Sequence, residues 1–178
     1  GYGADYMAKQ GARKVIGADV SMEATSYARE RFGKGEETDF VCADGLRMPF
    51  EGDSFDIVVS FETIEHIRQY GKFLAECRRV LKENGLLVCS TPNRRIFSPR
   101  LAKPINTFHV KEFWPDEFRR LLSRYFADVN LYGQCDVKLE DNSVDRSDYS
   151  VHDFKDDEFV SSGYVVAVAR KRAKCRAQ

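Results

Sequence analysis

The sequence predicts an α/β fold: a mainly parallel sheet with helices on both faces and an antiparallel carboxy-terminal strand. Three observations predict it. Short apolar runs alternate with helical segments along most of the chain. The run Phe55, Ile57, Val58 and Val59 is rich in β-branched residues and reads as a strand buried on both faces, as parallel strands are. The strand candidates at 129–132 and 164–169 have no helix between them, so they pair antiparallel.

In order, Gly1 and Gly3 form a glycine turn that runs into a helix over 4–10, closed by Gly11. Residues 14–19, KVIGAD, are a short strand ending in Asp19. Ser21 caps a helix over 22–32, with Glu23 in the first turn, where the helix dipole favours an acid. A strand over 38–43 leads into Asp44, and a loop over 45–53 carries Pro49 and Gly52. The strand that follows changes character abruptly at Ser60, Phe61, Glu62, Thr63, Glu65 and His66. A helix over 70–82 carries Phe73, Leu74, Cys77, Val80 and Leu81 on one stripe, and Asn84-Gly85 turns it into a strand over 86–89. That helix is long enough for a crossover. The strands at Ile57 and Leu87 are therefore expected side by side and parallel, with the Tyr164 strand antiparallel near one edge.

Residues 90–107 read as loop, because Pro92, Pro99 and Pro104 oppose regular structure. Pro115 suits the first position of a helix over 115–125. Residues 136–161 are polar and unpatterned, an acidic loop or insertion within a single domain over 1–178.

The formal net charge is zero, which removes a global attraction to nucleic acid. The basic run over 170–176 reads as a solvated, frayed terminus. Five cysteines are scattered without a C-x-x-C pair, so neither a disulfide framework nor a zinc site follows, and no metal is expected. Cys42 and Cys89 lie in apolar runs and read as buried small hydrophobes. No signal peptide and no apolar stretch of membrane-spanning length is present, which makes the cytoplasm the expected compartment. Composition leaves the oligomeric state open.

Asp19, Asp44 and Glu62 each follow a strand, and in open parallel sheets the ligand crevice lies at those strand ends. A carboxylate after such a strand suits the two hydroxyls of a ribose, and a glycine turn at a helix start lets a ligand approach the backbone. The segments GYGADYMA, VIGADVS, ADGLRMPFEGDSFDIVVSFETIEHI, ECRRVLKENG and LLVCSTPN together resemble the class I S-adenosylmethionine-dependent methyltransferases over nearly the whole chain. FETIEHI and NTFHVKEFWPDEF resemble the small-molecule branch that contains the ubiquinone-biosynthesis O-methyltransferases.

The resemblance implies a Rossmann-like fold, S-adenosylmethionine as cofactor, and methyl transfer to an oxygen, nitrogen or carbon of a small-molecule acceptor. It also implies roles for individual residues. Gly1 and Gly3 would face the methionine part of the cofactor, and Asp19 the ribose, with Val20 beside the adenine. Asp44 would accept from the adenine amino group, while Gly45 and Leu46 frame the ring. Phe61 and Glu62 would line the pocket beside the methyl group. The family's first strand and the start of its glycine loop would precede Gly1, and this sequence does not show them.

Two alternatives stand beside this reading: a cofactor-binding module of the same fold without catalysis, and a nicotinamide-dependent oxidoreductase. The latter is opposed by Tyr6, which occupies the third glycine position of a G-x-G-x-x-G fingerprint. Where the acceptor is a hydroxyl or a charged amine, a base is needed, and His66 and His109 are the candidates. Phe108, Phe113 and Trp114 are candidates for an apolar wall around His109, and Arg94 and Arg95 for contact with an acidic acceptor. His152 falls in the acidic stretch and reads as exposed. The loops over 93–113 and 136–161 are expected to set acceptor specificity.

Overall fold

The computed structural model describes residues 1–33, 35–138, 143–144, 151–153 and 162–173. They belong to two compact units, Gly1–Phe50 and Glu51–Gln178.

In the first unit, helix α1 (Tyr2–Lys9) leads to strand β1 (Val15–Asp19), helix α2 (Met22–Phe32) and strand β2 (Thr38–Cys42). β1 and β2 pair in parallel, with Gly17 opposite Phe40. The Phe40 ring lies where a Cβ of residue 17 would stand, 2.6 Å from its Cδ1, so β1 needs a glycine there. Phe40, Ala4 and Ala28 form a small core with Val15 and Phe32 packed on it. α2 starts as the sequence implies: Ser21 Oγ accepts from the Ala24 amide at 3.1 Å. α1 begins earlier than expected, so Gly3 lies inside its first turn rather than in a loop.

The second unit holds strand β3 (Phe55–Ser60), a 3-10 turn (Ile64–His66), helix α3 (Tyr70–Val80) and strand β4 (Leu81–Pro92). Helices α4 (Arg94–Phe97) and α5 (Pro115–Leu122) follow, then strands β5 (Ala127–Lys138), β6 (Ser143–Val144), β7 (Val151–Asp153) and β8 (Ser162–Arg170). The sheet order is β3-β4-β8-β5-β6, with β7 also on β5. β3 and β4 run parallel, Val58 opposite Leu87, as the crossover helix between them requires. β8 is antiparallel to both β4 and β5, so β3, β4 and β5 share one direction and β8 alone among the long strands is reversed. It sits inside the sheet rather than near an edge, between β4 and β5.

Four local expectations change. Among the described residues β3 pairs with β4 only, and Ile57 and Val59 are exposed rather than buried on both faces. The stretch after residue 90 is not all loop. β4 continues to Pro92, and Asn93 caps the short α4 by accepting from the Arg95 amide at 3.0 Å. Pro92 interrupts nothing, because it ends the strand.

Within 136–161, the described residues extend β5 and supply β6 and β7, where cross-strand pairing overrides a polar sequence; 139–142, 145–150 and 154–161 lie outside the described residues. His152 pairs through its backbone with Gly133. The basic terminus is partly structural. Lys171 is buried, and its Nζ donates to Asp53 Oδ1 at 2.6 Å and to the Leu81 carbonyl at 2.5 Å. The rest of that run, 174–178, lies outside the described residues.

The core of this unit comprises α3 (Phe73, Leu74, Cys77, Val80), β4 (Leu81, Leu87, Cys89) and α5 (Phe118, Leu121, Leu122). Burial pushes the Cys77 thiol up to about 12 and Cys89 well above its ordinary value, so both stay neutral. Cys42, in the other unit, is only half-buried, with Sγ 3.4 Å from the Val20 carbonyl. Among the described residues no helix is long and apolar enough to cross a membrane.

Candidate functional site

In the first unit, Asp19 ends β1 and Asp44 follows β2, both exposed. Each carboxylate uses one oxygen in its own turn: Asp19 Oδ1 accepts from the Ser21 amide and Asp44 Oδ1 from the Leu46 amide, both at 2.8 Å. The other oxygen of each takes no hydrogen bond from the described residues. Val20, beside Asp19, is 74% exposed. Open acceptor oxygens next to exposed apolar surface fit a ribose and a purine. Gly1 has a structural reason as well, since a Cβ there would meet Phe32 Cδ2 at 2.5 Å. At Gly3 a Cβ would meet nothing within 4 Å.

In the second unit the end of β3 and the end of β4 build a denser arrangement. Glu62 has a left-handed backbone, φ 48°, unusual for a side chain of its size. Ser90, at the end of β4, holds it at both ends: the Glu62 amide donates to Ser90 Oγ at 3.1 Å, and Ser90 Oγ donates to Glu62 Oε1 at 2.6 Å. Loss of hydration among the surrounding groups raises the Glu62 carboxyl to about 7, against the Ser90 hydrogen bond, with Glu65 adding to the rise and both histidines opposing it. A carboxyl that titrates near neutrality is suited to exchange protons.

Glu65 is wholly buried, and burial raises it too. Its Oε2 accepts from Thr91 Oγ1 at 3.3 Å, while Oε1 is buried without a hydrogen-bond partner among the described residues. Its carbonyl accepts from the Val110 and Lys111 amides at 2.7 and 3.1 Å, which draws the 106–113 loop onto the 3-10 turn.

That link brings the two histidines together. Their rings meet edge to face, centroids 4.9 Å apart. His66 Nδ1 lies 3.0 Å from the Phe108 carbonyl, which only accepts, so Nδ1 carries the hydrogen. His109 is settled by a chain of bonds. The Phe108 amide donates to Asn106 Oδ1 at 3.0 Å, which turns Asn106 Nδ2 toward His109 Nε2 at 2.9 Å. Nε2 must then accept, and Nδ1 donates to Glu112 Oε1 at 2.9 Å. Ligand atoms of Glu65, His66 and His109 lie within 4.8 Å of one another. However, His66 Nδ1 and both nitrogens of His109 are already engaged. Glu65 Oε1 and His66 Nε2 take no hydrogen bond from the described residues, and His109 Nε2 faces only the Asn106 amide. The cluster gathers two glutamates and two histidines at the ends of β3 and β4.

The sequence named His66, His109, Phe61 and Glu62 separately, and the structure gathers three of them, the histidines and Glu62, with Glu65. Phe61 is exposed beside them in the chain. Ser90, Thr91, Asn106 and Glu112 were missed. The spacing of His109 and Glu112, three residues apart, was visible, but on an apparent loop it implies no contact. Phe113 is a correction: it is core, 1% exposed, with its ring 5.5 Å from Tyr70 and 5.8 Å from Phe118, so it cannot wall an acceptor. Phe108 and Trp114 are exposed. Arg94 Nη2 donates to the Leu101 carbonyl at 2.8 Å, and Arg95 is exposed.

Residues 1–89 match the family model described as a methyltransferase domain. The chain belongs to that family. A probable S-adenosylmethionine-dependent methyltransferase of Mycobacterium tuberculosis is 42% identical over 134 residues, 75% of this chain and 47% of the relative. A ubiquinone biosynthesis O-methyltransferase of Roseobacter denitrificans is 35% identical over 113 residues, 63% of this chain and 45% of the relative. The methyltransferase chain thus spans about half the length of the curated relatives it matches. Among solved structures, a possible histamine N-methyltransferase of Thermotoga maritima superposes with a TM-score of 0.69 at 19% identity, covering 88% of this chain and 72% of that one. The N-methyltransferase NodS of Bradyrhizobium japonicum, in complex with S-adenosyl-l-homocysteine, gives 0.64 at 15% identity, covering 96% and 74%. The methyltransferase fold expected from the sequence is the fold found.

Proposed function

We propose that the protein transfers a methyl group from S-adenosylmethionine to a hydroxyl of a small-molecule acceptor. The observation that carries this is His109 held with Nε2 unprotonated beside His66, Glu62 and Glu65, an arrangement able to take a hydroxyl proton. The names of the sequence relatives support the cofactor, and one of them the hydroxyl acceptor. The cofactor supplies a methyl group on a positively charged sulfur, open to in-line displacement.

The chain's own residues then have distinct tasks. Asp19 and Val20 hold ribose and adenine; Asp44, Gly45 and Leu46 frame the base; Gly1 and Gly3 face the methionine part. Phe61 and Glu62 line the methyl-bearing end. Glu62, Ser90-clasped and titrating near neutrality, and the histidines accept and pass the acceptor's proton. Positioning supplies the remainder of the rate, because the acceptor oxygen only has to be held in line with the methyl group. The 1–178 chain acts on this reading as one methyltransferase domain. The test is methyl transfer from radiolabelled S-adenosylmethionine by the full-length protein to a panel of small phenols, hydroxy acids and amines. Label in an ether or ester product supports the proposal; label in amines alone, or in none of the panel, contradicts it.

A further inference from the structure

We propose that Glu112 is a positioning residue: its buried carboxylate fixes His109 as the Nδ1–H tautomer and steadies the positive charge that ring takes on when Nε2 receives the acceptor's proton. The proposal rests on the reading of His109 as the base. Glu112 falls within the segment NTFHVKEFWPDEF but has no role assigned there, and its side chain has one described partner, His109, at 2.9 Å. Its other oxygen, Oε2, is buried with no hydrogen-bond partner among the described residues.

A carboxylate 1% exposed with an open oxygen is costly, because burial strips its hydration. Such a cost is offset when the partner is itself able to become a cation. His109 is that partner, itself largely enclosed, so a proton placed on Nε2 turns a hydrogen bond between a neutral ring and a carboxylate into a close ion pair. The groups that face the His109 ring are Glu112 at Nδ1, Asn106 at Nε2, His66 edge-on, and the Glu62 and Glu65 carboxyls near the His66 ring. Among them only Glu112 meets the nitrogen opposite the reacting one. Asn106 Nδ2, 2.9 Å from Nε2, marks where a donor sits, and a hydroxyl that displaces it finds the lone pair already aimed. The step is balanced within the chain. The hydroxyl O–H bond breaks, its proton forms the Nε2–H bond, and the oxygen keeps the electron pair; that pair would form the O–C bond as the methyl–sulfur bond of S-adenosylmethionine breaks, its pair staying on the departing sulfur.

The backbone around Glu112 is built to hold this geometry. The Val110 and Lys111 amides are pinned to the Glu65 carbonyl, and Phe113 beyond it is locked in the core. Between these two anchors Glu112 has little freedom to swing away from the ring.

The experiment combines E112Q, E112D, H109A and the E112Q/H109A double variant in the full-length protein. It reads kcat and KM, and the His109 tautomer by long-range proton–nitrogen NMR with cofactor product bound. We expect E112Q to lower kcat at least about 10-fold with KM within about twofold, and E112D to recover part of it. His109 should be the Nδ1–H form in the wild type and a mixture of tautomers in E112Q. In the H109A background E112Q should cost nothing further, because a residue that acts only through His109 has nothing left to act on. Unchanged kcat in E112Q, an unchanged His109 tautomer, or an equal further loss in the H109A background would each overturn the proposal. If E112Q fails to fold, E112D with the tautomer measurement decides alone: a tautomer retained with kcat partly retained supports the role, and full activity with a lost tautomer overturns it. H109A with full activity would instead sink the base reading on which the proposal stands, whatever E112Q does.

Discussion

The two units place acids at strand ends by different means. In the first, Asp19 and Asp44 are exposed, and each is held by an amide two residues along its own turn. In the second, Glu62 is held by Ser90, Glu65 by Thr91, and Glu112 by His109, with the first two of these partners 28 and 26 residues away. The first arrangement leaves one oxygen of each carboxylate exposed and without a hydrogen-bond donor among the described residues. In the second, loss of hydration raises Glu62, whose side chain still reaches solvent, to about 7, and burial raises Glu65 above the usual carboxylate range. On the proposed function the difference separates binding from chemistry: a ribose needs open acceptors, and a proton transfer needs groups that titrate.

The largest effect that tests this contrast lies in the second unit's scaffold. Phe113→Ala should cost about 3–5 kcal/mol of unfolding free energy, whereas Phe108→Ala, 79% exposed and five residues earlier, should stay within about 0.5 kcal/mol. Denaturant unfolding of both variants checks it, and equal costs would show that the loop is not anchored as described. Next, Asp19→Ala should weaken cofactor binding by about 1–3 kcal/mol through lost hydrogen bonds, read by calorimetry. Unchanged affinity would remove Asp19 from the binding region. Ser21→Ala, which deletes the cap of α2, should cost about 1 kcal/mol of stability with cofactor contacts otherwise intact.

The smallest effect is a pH dependence. The Glu62 carboxyl is raised from 4.5 to about 7 on folding, so the folded state holds that proton more tightly than the unfolded chain. Its contribution to stability is full below 4.5 and is lost as pH rises through about 7. Melting temperatures of wild type and E62Q should therefore diverge across that window, with the variant the flatter of the two. Parallel curves would contradict the shift.

Local rules explain why the first unit could be read from the chain. Ser21, Glu23 and the KVIGAD strand obey capping, dipole and patterning rules that act over a few residues, and the structure follows them. The parallel β3–β4 pair was legible for a related reason, since a helix of crossover length leaves few other topologies. What escaped depends on distant partners. The exposure of Ile57 and Val59 goes with β3 having one strand neighbour among the described residues, which no property of FDIVVS reveals. The burial of Lys171 follows from Asp53, 118 residues earlier. His66 and His109 each looked like a loop histidine, and only the Glu65 carbonyl, by gripping the 110–111 amides, brings their rings to 4.9 Å. Fold class and the strand-end aspartates lie on the local side of that divide, and the histidine–glutamate cluster on the other.

The central claim is that the second unit's cluster carries the chemistry through His109, while the first unit's acids carry cofactor binding. Single-turnover methyl transfer at saturating acceptor, measured on the wild type and H109A with cofactor affinity determined in parallel, tests it most directly. The account predicts a rate on the order of 100-fold lower in H109A, the span general base catalysis supplies, with cofactor Kd unchanged within about threefold. An unchanged rate, or a rate and an affinity lost together, would contradict it.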